Sequence, residues 1–240
     1  MNKSSSFKQP NSDFIIKSFK DLETPRRYDE QLYNLDFGKS LIIKGILSTE
    51  GNLATSRDIS LLTTGSFCNL SFESRLTERD IQEVWAVNKA LRFMEENHDK
   101  PLTRNMIETY NSIIVVGPKS KFSGEVRKTN VFINETTHKP PDFENLDRLF
   151  ENSLFEISTV EGEVNKAFSY LLMISKNQIF IDGNKRTGLL CALHHLIYSG
   201  QRMFILSDKF SEDFIRELKN FYETSTKGKL VDLFRLMMTD

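Results

Sequence analysis

The sequence predicts a mainly α-helical fold with one small β-hairpin, on three observations. Apolar residues recur at helical spacing on both sides of a polar turn in SYLLMISKNQIFIDGNKRTGLLCALHHLI, residues 169–197. The same spacing runs through TERDIQEVWAVNKALRFM from Thr77 onward. Only KFSGEVRKTNVFIN, residues 121–134, alternates and turns as a strand pair does. At 240 residues, with 39% hydrophobic and 27% charged, the chain is of ordinary globular composition and long enough for one or two domains around a sizeable core.

In chain order, the first dozen residues are polar and predict a loose terminus. Short segments of mixed type follow to Ser66: SLIIKGIL reads as a strand and Gly51 with Asn52 as a turn. Residues 1–66 therefore read as an N-terminal extension packed on a main domain of residues 67–240. Thr77 and Asp80 cap a helix whose buried stripe is Ile81, Val84, Trp85, Val87, Leu91 and Met94, ending near residues 98–101. Residues 102–114 read as a second helix. After the hairpin, Pro140 and Pro141 break regular structure, and a helix starting near Asp142 carries Leu146, Leu149 and Phe150 inward. Two apolar helices then flank the loop of residues 177–186. His194 and His195 lie on the second of them, one toward the core and the other toward solvent. A turn at Ser199 and Gly200 leads to two amphipathic helices, residues 211–223 and about 230–238.

A net charge of -1 gives no electrostatic case for binding nucleic acid or a membrane surface, since a phosphate-tracking protein carries a basic excess or stripe. No apolar run is long enough to span a bilayer, and the start MNKSSSFKQPNSD lacks the apolar core of a signal peptide. The two cysteines, Cys68 and Cys191, are far apart and suggest neither a metal site nor a disulfide framework, which fits a reducing cytoplasm.

The chemistry is expected in the polar loop. Gly183 permits unusual backbone angles. Asn184, Lys185 and Arg186 follow at the start of a helix whose free amides and dipole favour anions, so a phosphate suits the place. Asp182 could hold Mg²⁺, which takes few protein carboxylates and keeps waters and phosphate oxygens. A solvated D-G-N turn followed by two cations is the plain alternative.

FIDGNKRTG after an apolar helix resembles the signature of the Fic/Doc family, H-x-F-x-(D/E)-G-N-(G/K)-R. Phe180, Asp182, Gly183, Asn184, Lys185 and Arg186 match, and the family's His falls on Gln178. EVWAVNKALRFM resembles the family's early core helix. G-x-V-R-x-x-x-V-x-I, carried by Gly124, Arg127, Val131 and Ile133, resembles its flap, which docks a target segment by strand addition. The resemblance covers about residues 69–207, with helices 208–240 beyond it. It implies a Fic-type helical bundle, ATP with Mg²⁺ as cofactor, and AMP transfer to a Ser, Thr or Tyr hydroxyl of a target protein. Lys185 also resembles the Doc branch, which transfers the terminal phosphate. Leu189 stands where many AMPylating members have a further Arg. Glu73 in NLSFES partly matches the inhibitory helix of one class, with Asn69 and Ser74 departing from its pattern. A homodimer is left open.

An amide cannot take a proton at working pH, although its oxygen can orient a hydroxyl. Losing the base removes about 10²- to 10⁴-fold, or on the order of 3 to 5 kcal/mol of transition-state stabilisation. The sequence thus leaves two readings: a transferase impaired at Gln178, or a nucleotide- or target-binding module without transfer.

Overall fold

The computed structural model describes residues 12–17, 19, 28–66 and 75–239. Within them lie α1 (Tyr28–Ser48), α2 (Ser56–Thr63), α3 (Glu78–Glu96), α4 (Arg104–Ile114), α5 (Phe143–Ser158), α6 (Glu163–Asn177), α7 (Asn184–Tyr198), α8 (Asp208–Thr224) and α9 (Gly228–Thr239), with short 3-10 helices at Ser12–Phe14 and Gly117–Phe122. The described chain is mainly helical, and no helix in it is long and apolar enough to cross a membrane.

The centre is the α6/α7 pair. Both helices are buried almost all round rather than along one stripe, and the enclosed residues include polar ones such as Asn165, Ser169, Ser175, Thr187 and His194. Their six-residue connection makes them antiparallel neighbours. Gly188 sets how close they come: a Cβ there would lie 3.0 Å from the Leu171 carbonyl oxygen. α3, α4, α5 and α1 pack around this pair. The capping signal at Thr77 is realised in both directions, with the Thr77 hydroxyl accepting from Asp80 N–H at 3.1 Å and the Asp80 carboxylate accepting from Thr77 N–H at 2.8 Å.

Four expectations are corrected. SLIIKGIL lies inside helix α1, where Ile42, Ile43, Ile46 and Leu47 are buried together. Lys44 and Gly45 interrupt the run, and the buried pairs on either side of them are four residues apart, a helical spacing that the short segment did not make evident. No strand is present among the described residues, and the expected β-hairpin is not formed. Its backbone groups are instead bonded to other parts of the chain: Gly124 N–H donates to Asn111 Oδ1 and Arg127 N–H to the Ile179 carbonyl. Trp85, assigned to the core stripe, is 45% exposed, while Glu83 and Asn88 are buried in its place. His194 and His195 are both buried.

Each histidine has a partner. Lys100 C=O can only accept, so the 3.0 Å contact from His194 Nε2 puts the proton on that nitrogen, and Nδ1 accepts from the Tyr110 hydroxyl at 2.7 Å. His195 Nε2 meets the Glu163 carboxylate at 2.8 Å. Burial pushes the His194 imidazole down from 6.5 to about 4.

The stability attached to neutral His194 is complete above the unfolded value of 6.5 and is lost as pH falls through about 4. The full difference is on the order of 3 kcal/mol. A His194→Gln chain cannot titrate there, so its thermal midpoint should fall less than the wild type's between about pH 7 and pH 5. Equal falls would assign the acid sensitivity to another group.

Candidate active site

Helix α6 ends at Gln178, which takes a left-handed conformation with φ 48° and ψ 60°. That reversal turns the chain into the loop, and the side chain folds back. Gln178 Nε2 donates to the Ser175 carbonyl at 2.6 Å, and Oε1 accepts from Asn184 Nδ2 at 3.1 Å. Phe180 is fully buried and stands edge-on to Phe150, with ring centroids 6.3 Å apart. Asn184 stitches the loop together: its Oδ1 accepts Phe180 N–H at 2.9 Å and its Nδ2 donates to the Phe180 carbonyl at 2.8 Å. Gly183 is the N-cap of α7 with φ +76°. A Cβ there would also meet Val115 at 2.9 Å, so glycine is required twice over.

A cavity of about 330 Å³ opens beside this loop. Gln178, Asp182, Gly183 and Lys185 line one side, Phe132 and Ile133 another, and Ile215, Leu218 and Tyr222 of α8 close it. The loop's charges each meet an opposite charge from elsewhere in the chain. Asp182 Oδ2 is 3.0 Å from Lys119 Nζ, while its Oδ1 accepts Gly183 N–H at 2.7 Å. Lys185 Nζ donates to Thr49 C=O at 2.9 Å and lies 3.4 Å from Glu50. Arg186 is 3.7 Å from Glu83 and 3.9 Å from Asp182. Burial alone would raise the Asp182 carboxyl, but the hydrogen bonds from Lys119 and Gly183 and the charges of Lys119 and Arg186 outweigh it and hold it below the usual carboxylate range.

The expected site residues therefore divide. Gln178, Asp182, Gly183, Lys185 and Ile133 share the cavity. Asn184 and Arg186, expected to face a phosphate, are turned inward at 4% and 2% exposure. Both amide ends of Asn184 are occupied by the loop. Arg186 bonds the Ile114 carbonyl at 3.3 Å, and its Nε–H has no partner among the described residues. Arg127, expected to meet a target, is buried. Its guanidinium donates to the Gln178 carbonyl at 2.6 Å, to Thr129 C=O at 2.7 Å and to Pro141 C=O, so it ties residues 123–134 to the left-handed end of α6. Gly124 and Val131 are half-buried in that segment. Glu73 lies outside the described residues. Among the described residues, the carboxylates that stand against Lys185 and Arg186 from outside the loop are Glu50 and Glu83.

Sequence reading missed Asn111, Lys119, Glu50 and Glu83. Asn111 is fully buried and joins three elements: Nδ2 donates to Asp182 C=O at 2.9 Å and to Thr187 Oγ1 at 3.1 Å, while Oδ1 holds Gly124. A polar residue in the apolar register of Ile107, Tyr110 and Ile114 was the available signal. Among the described residues no cluster of three or more His, Cys, Asp or Glu could hold a metal on its own.

Residues 100–196 match the Fic/DOC family. No curated protein matches the chain significantly. Its fold is similar to that of a Fic domain containing signaling protein from Bacteroides thetaiotaomicron, with TM-score 0.69 and 17% identity over 92% of this chain and 88% of that one. Fic-1 from C. elegans gives TM-score 0.71 and 16% identity over 88% of this chain and 66% of that one. A Fic family protein from Desulfovibrio desulfuricans gives 0.57 and 18% over 93% and 67%. At such identities the likeness to these structures establishes the fold.

Asn184→Ala should leave the buried Phe180 N–H and C=O both unpaired and lower stability by about 2–6 kcal/mol in urea unfolding, about 1–3 for each group. A change below about 0.5 kcal/mol would mean that water replaces the amide without loss.

Proposed function

We propose that this chain, whose residues 100–196 belong to the Fic/DOC family, binds a nucleotide with Mg²⁺ and a target hydroxyl at the cavity beside Gln178, and transfers AMP slowly for want of a base. The observation that carries the reading is Gln178 itself. An amide stands at the family's base position, held at one end by Ser175 and at the other by Asn184.

The donor set fits a Mg²⁺ that arrives with phosphates. Asp182 is one ionised carboxylate, and this metal usually takes one or two together with phosphate oxygens and waters. When bound, it would neutralise charge on the phosphates. Lys185 and the first-turn amides of α7, which Gly183 leaves without a side-chain cap, supply the protein's share of that neutralisation. The apolar wall of Phe132, Ile133, Ile215 and Leu218 offers water exclusion and a surface for a target or a base.

Gln178 can orient a hydroxyl through an amide lone pair. It cannot accept the proton. Among the described residues lining the cavity, the carboxylates Asp182, Glu50 and Glu135 are each engaged with a lysine, by Lys119, Lys185 and Lys219 respectively. None stands free as a substitute base. A module that binds without transferring is favoured by the same amide, and phosphoryl transfer of the Doc type by Lys185; the label position separates these.

Incubation with ATP labelled at the α or the γ phosphate, separately, reads the outcome. Gln178→His should raise transfer by about 10²-fold or more, with Asp182→Ala in that background returning it to the starting level. Label retained from the α position means AMP transfer, and from the γ position means phosphate transfer. A His variant that binds ATP yet stays as silent as wild type places the defect elsewhere than the base.

Glu50→Gln frees Lys185 of its carboxylate partner and should tighten ATP binding several-fold in calorimetry. An unchanged affinity would show that Glu50 does not compete with the nucleotide.

A further inference from the structure

Lys119 sits on the short 3-10 helix Gly117–Phe122, outside the signature loop, and its side chain is 61% exposed, whereas that of Asp182 is 25% exposed. Its ammonium lies 3.0 Å from Asp182 Oδ2 and lines the same cavity. The nearby cations have other partners: Lys185 is held by Thr49 and Glu50, and Arg186 by Glu83 and the Ile114 carbonyl, with its Nη2 at a longer 3.9 Å from Asp182 Oδ1. Asp182 Oδ1 is taken by Gly183 N–H, so Oδ2 is the oxygen on which a cation can be exchanged.

Resting on the nucleotide reading above, we propose that Lys119 is a place-holding cation: it neutralises Asp182 until a divalent metal displaces it, and its freed ammonium then turns to the incoming phosphates. Three properties of the pair carry this. The lysine is mostly solvated, so the ion pair is weak and easily broken. The stem is long and has four rotatable bonds, so the ammonium can leave Asp182 without moving the backbone. A divalent cation carries twice the charge and prefers oxygen donors, so it outcompetes an ammonium for a carboxylate when phosphates complete its shell.

The exchange couples the two ligands. A phosphate that attracts Lys119 leaves Asp182 open for metal, and a metal that takes Asp182 releases Lys119 for phosphate. By linkage each must raise the affinity for the other. Lys119 would be a positioning residue acting through charge, so Arg should substitute for it and Ala should not.

The test uses the full chain with Mn²⁺ as the metal probe, its free concentration read by electron paramagnetic resonance, and ATP in metal-free buffer by calorimetry. Lys119→Ala should bind Mn²⁺ alone about two- to fivefold more tightly and metal-free ATP about two- to fivefold more weakly, with Lys119→Arg close to wild type in both. Asp182→Asn should abolish Mn²⁺ binding. Lys119→Ala with unchanged Mn²⁺ affinity, or with unchanged ATP affinity, overturns the exchange, as does a chain that binds no Mn²⁺ with or without Lys119. Failure of wild type and of Glu50→Gln to bind ATP in the presence of Mn²⁺ would instead sink the nucleotide reading, and the phosphate half of this one with it.

Discussion

A six-residue loop, half apolar, is enclosed between two helices that are buried almost all round, and its backbone groups must find partners inside the protein. Water cannot reach Phe180, which is fully buried, so an unpaired N–H or C=O there would cost roughly 1–3 kcal/mol each. Asn184 satisfies both. Asn111 reaches across from α4 to the Asp182 carbonyl, and Arg127 reaches across from the segment of residues 123–134 to the Gln178 carbonyl. Three side chains from three elements thus set the path of the loop. The positions of Gln178 and Asp182 at the cavity follow from that path.

The same enclosure explains the charges. A carboxylate and two cations in a short loop would repel or attract unevenly if left alone, and each is instead balanced from a neighbouring element. The balance is graded by burial. Arg186 and Glu83 are both nearly inaccessible, and each has further partners: Glu83 accepts from Arg79 and Asn52 at 3.0 Å, and Arg186 reaches the Ile114 carbonyl. Lys119 with Asp182 and Lys185 with Glu50 are partly solvated and correspondingly weak. On the nucleotide reading proposed above, the outer pairs are the ones a ligand would open, and the inner pair stays within the fold.

That grading marks how far the sequence could be read. Helical period and the capping signal at Thr77 gave α3, α6 and α7, because those patterns encode local geometry directly. The motif placed Asp182, Gly183 and Lys185 at a shared cavity. It did not say that Asn184 and Arg186 turn inward, because whether a polar side chain faces ligand or backbone depends on groups distant in sequence: Phe180 for one and Glu83 for the other. Arg127 read as a docking residue since three carbonyls from residues 129, 141 and 178 converge only in the fold. SLIIKGIL read as a strand because eight residues rich in Ile are too short to display the four-residue spacing of Ile42, Ile43, Ile46 and Leu47 as a helix pattern. Glu50 gave no signal at all until α1 brought it beside Lys185.

These ties also bear on what a Gln at position 178 leaves intact. The αL turn there is held from its carbonyl by Arg127 and from its side chain by Asn184, and neither contact depends on a proton-accepting nitrogen. The bond from Arg127 goes to backbone and is independent of the residue type at 178, whereas the contacts with Ser175 and Asn184 are made by the Gln178 amide itself. The backbone path of the loop rests instead on Asn111, Asn184 and Arg127, which hold the Asp182 carbonyl, both backbone groups of Phe180 and the Gln178 carbonyl respectively. Phosphoryl and nucleotidyl transfer rest mostly on positioning and charge, with the base adding a further factor. On the function proposed above, a site with its positioning groups in place and its base absent would hold its ligands more readily than convert them, and a single imidazole at 178 is the smallest change that would reverse that bias.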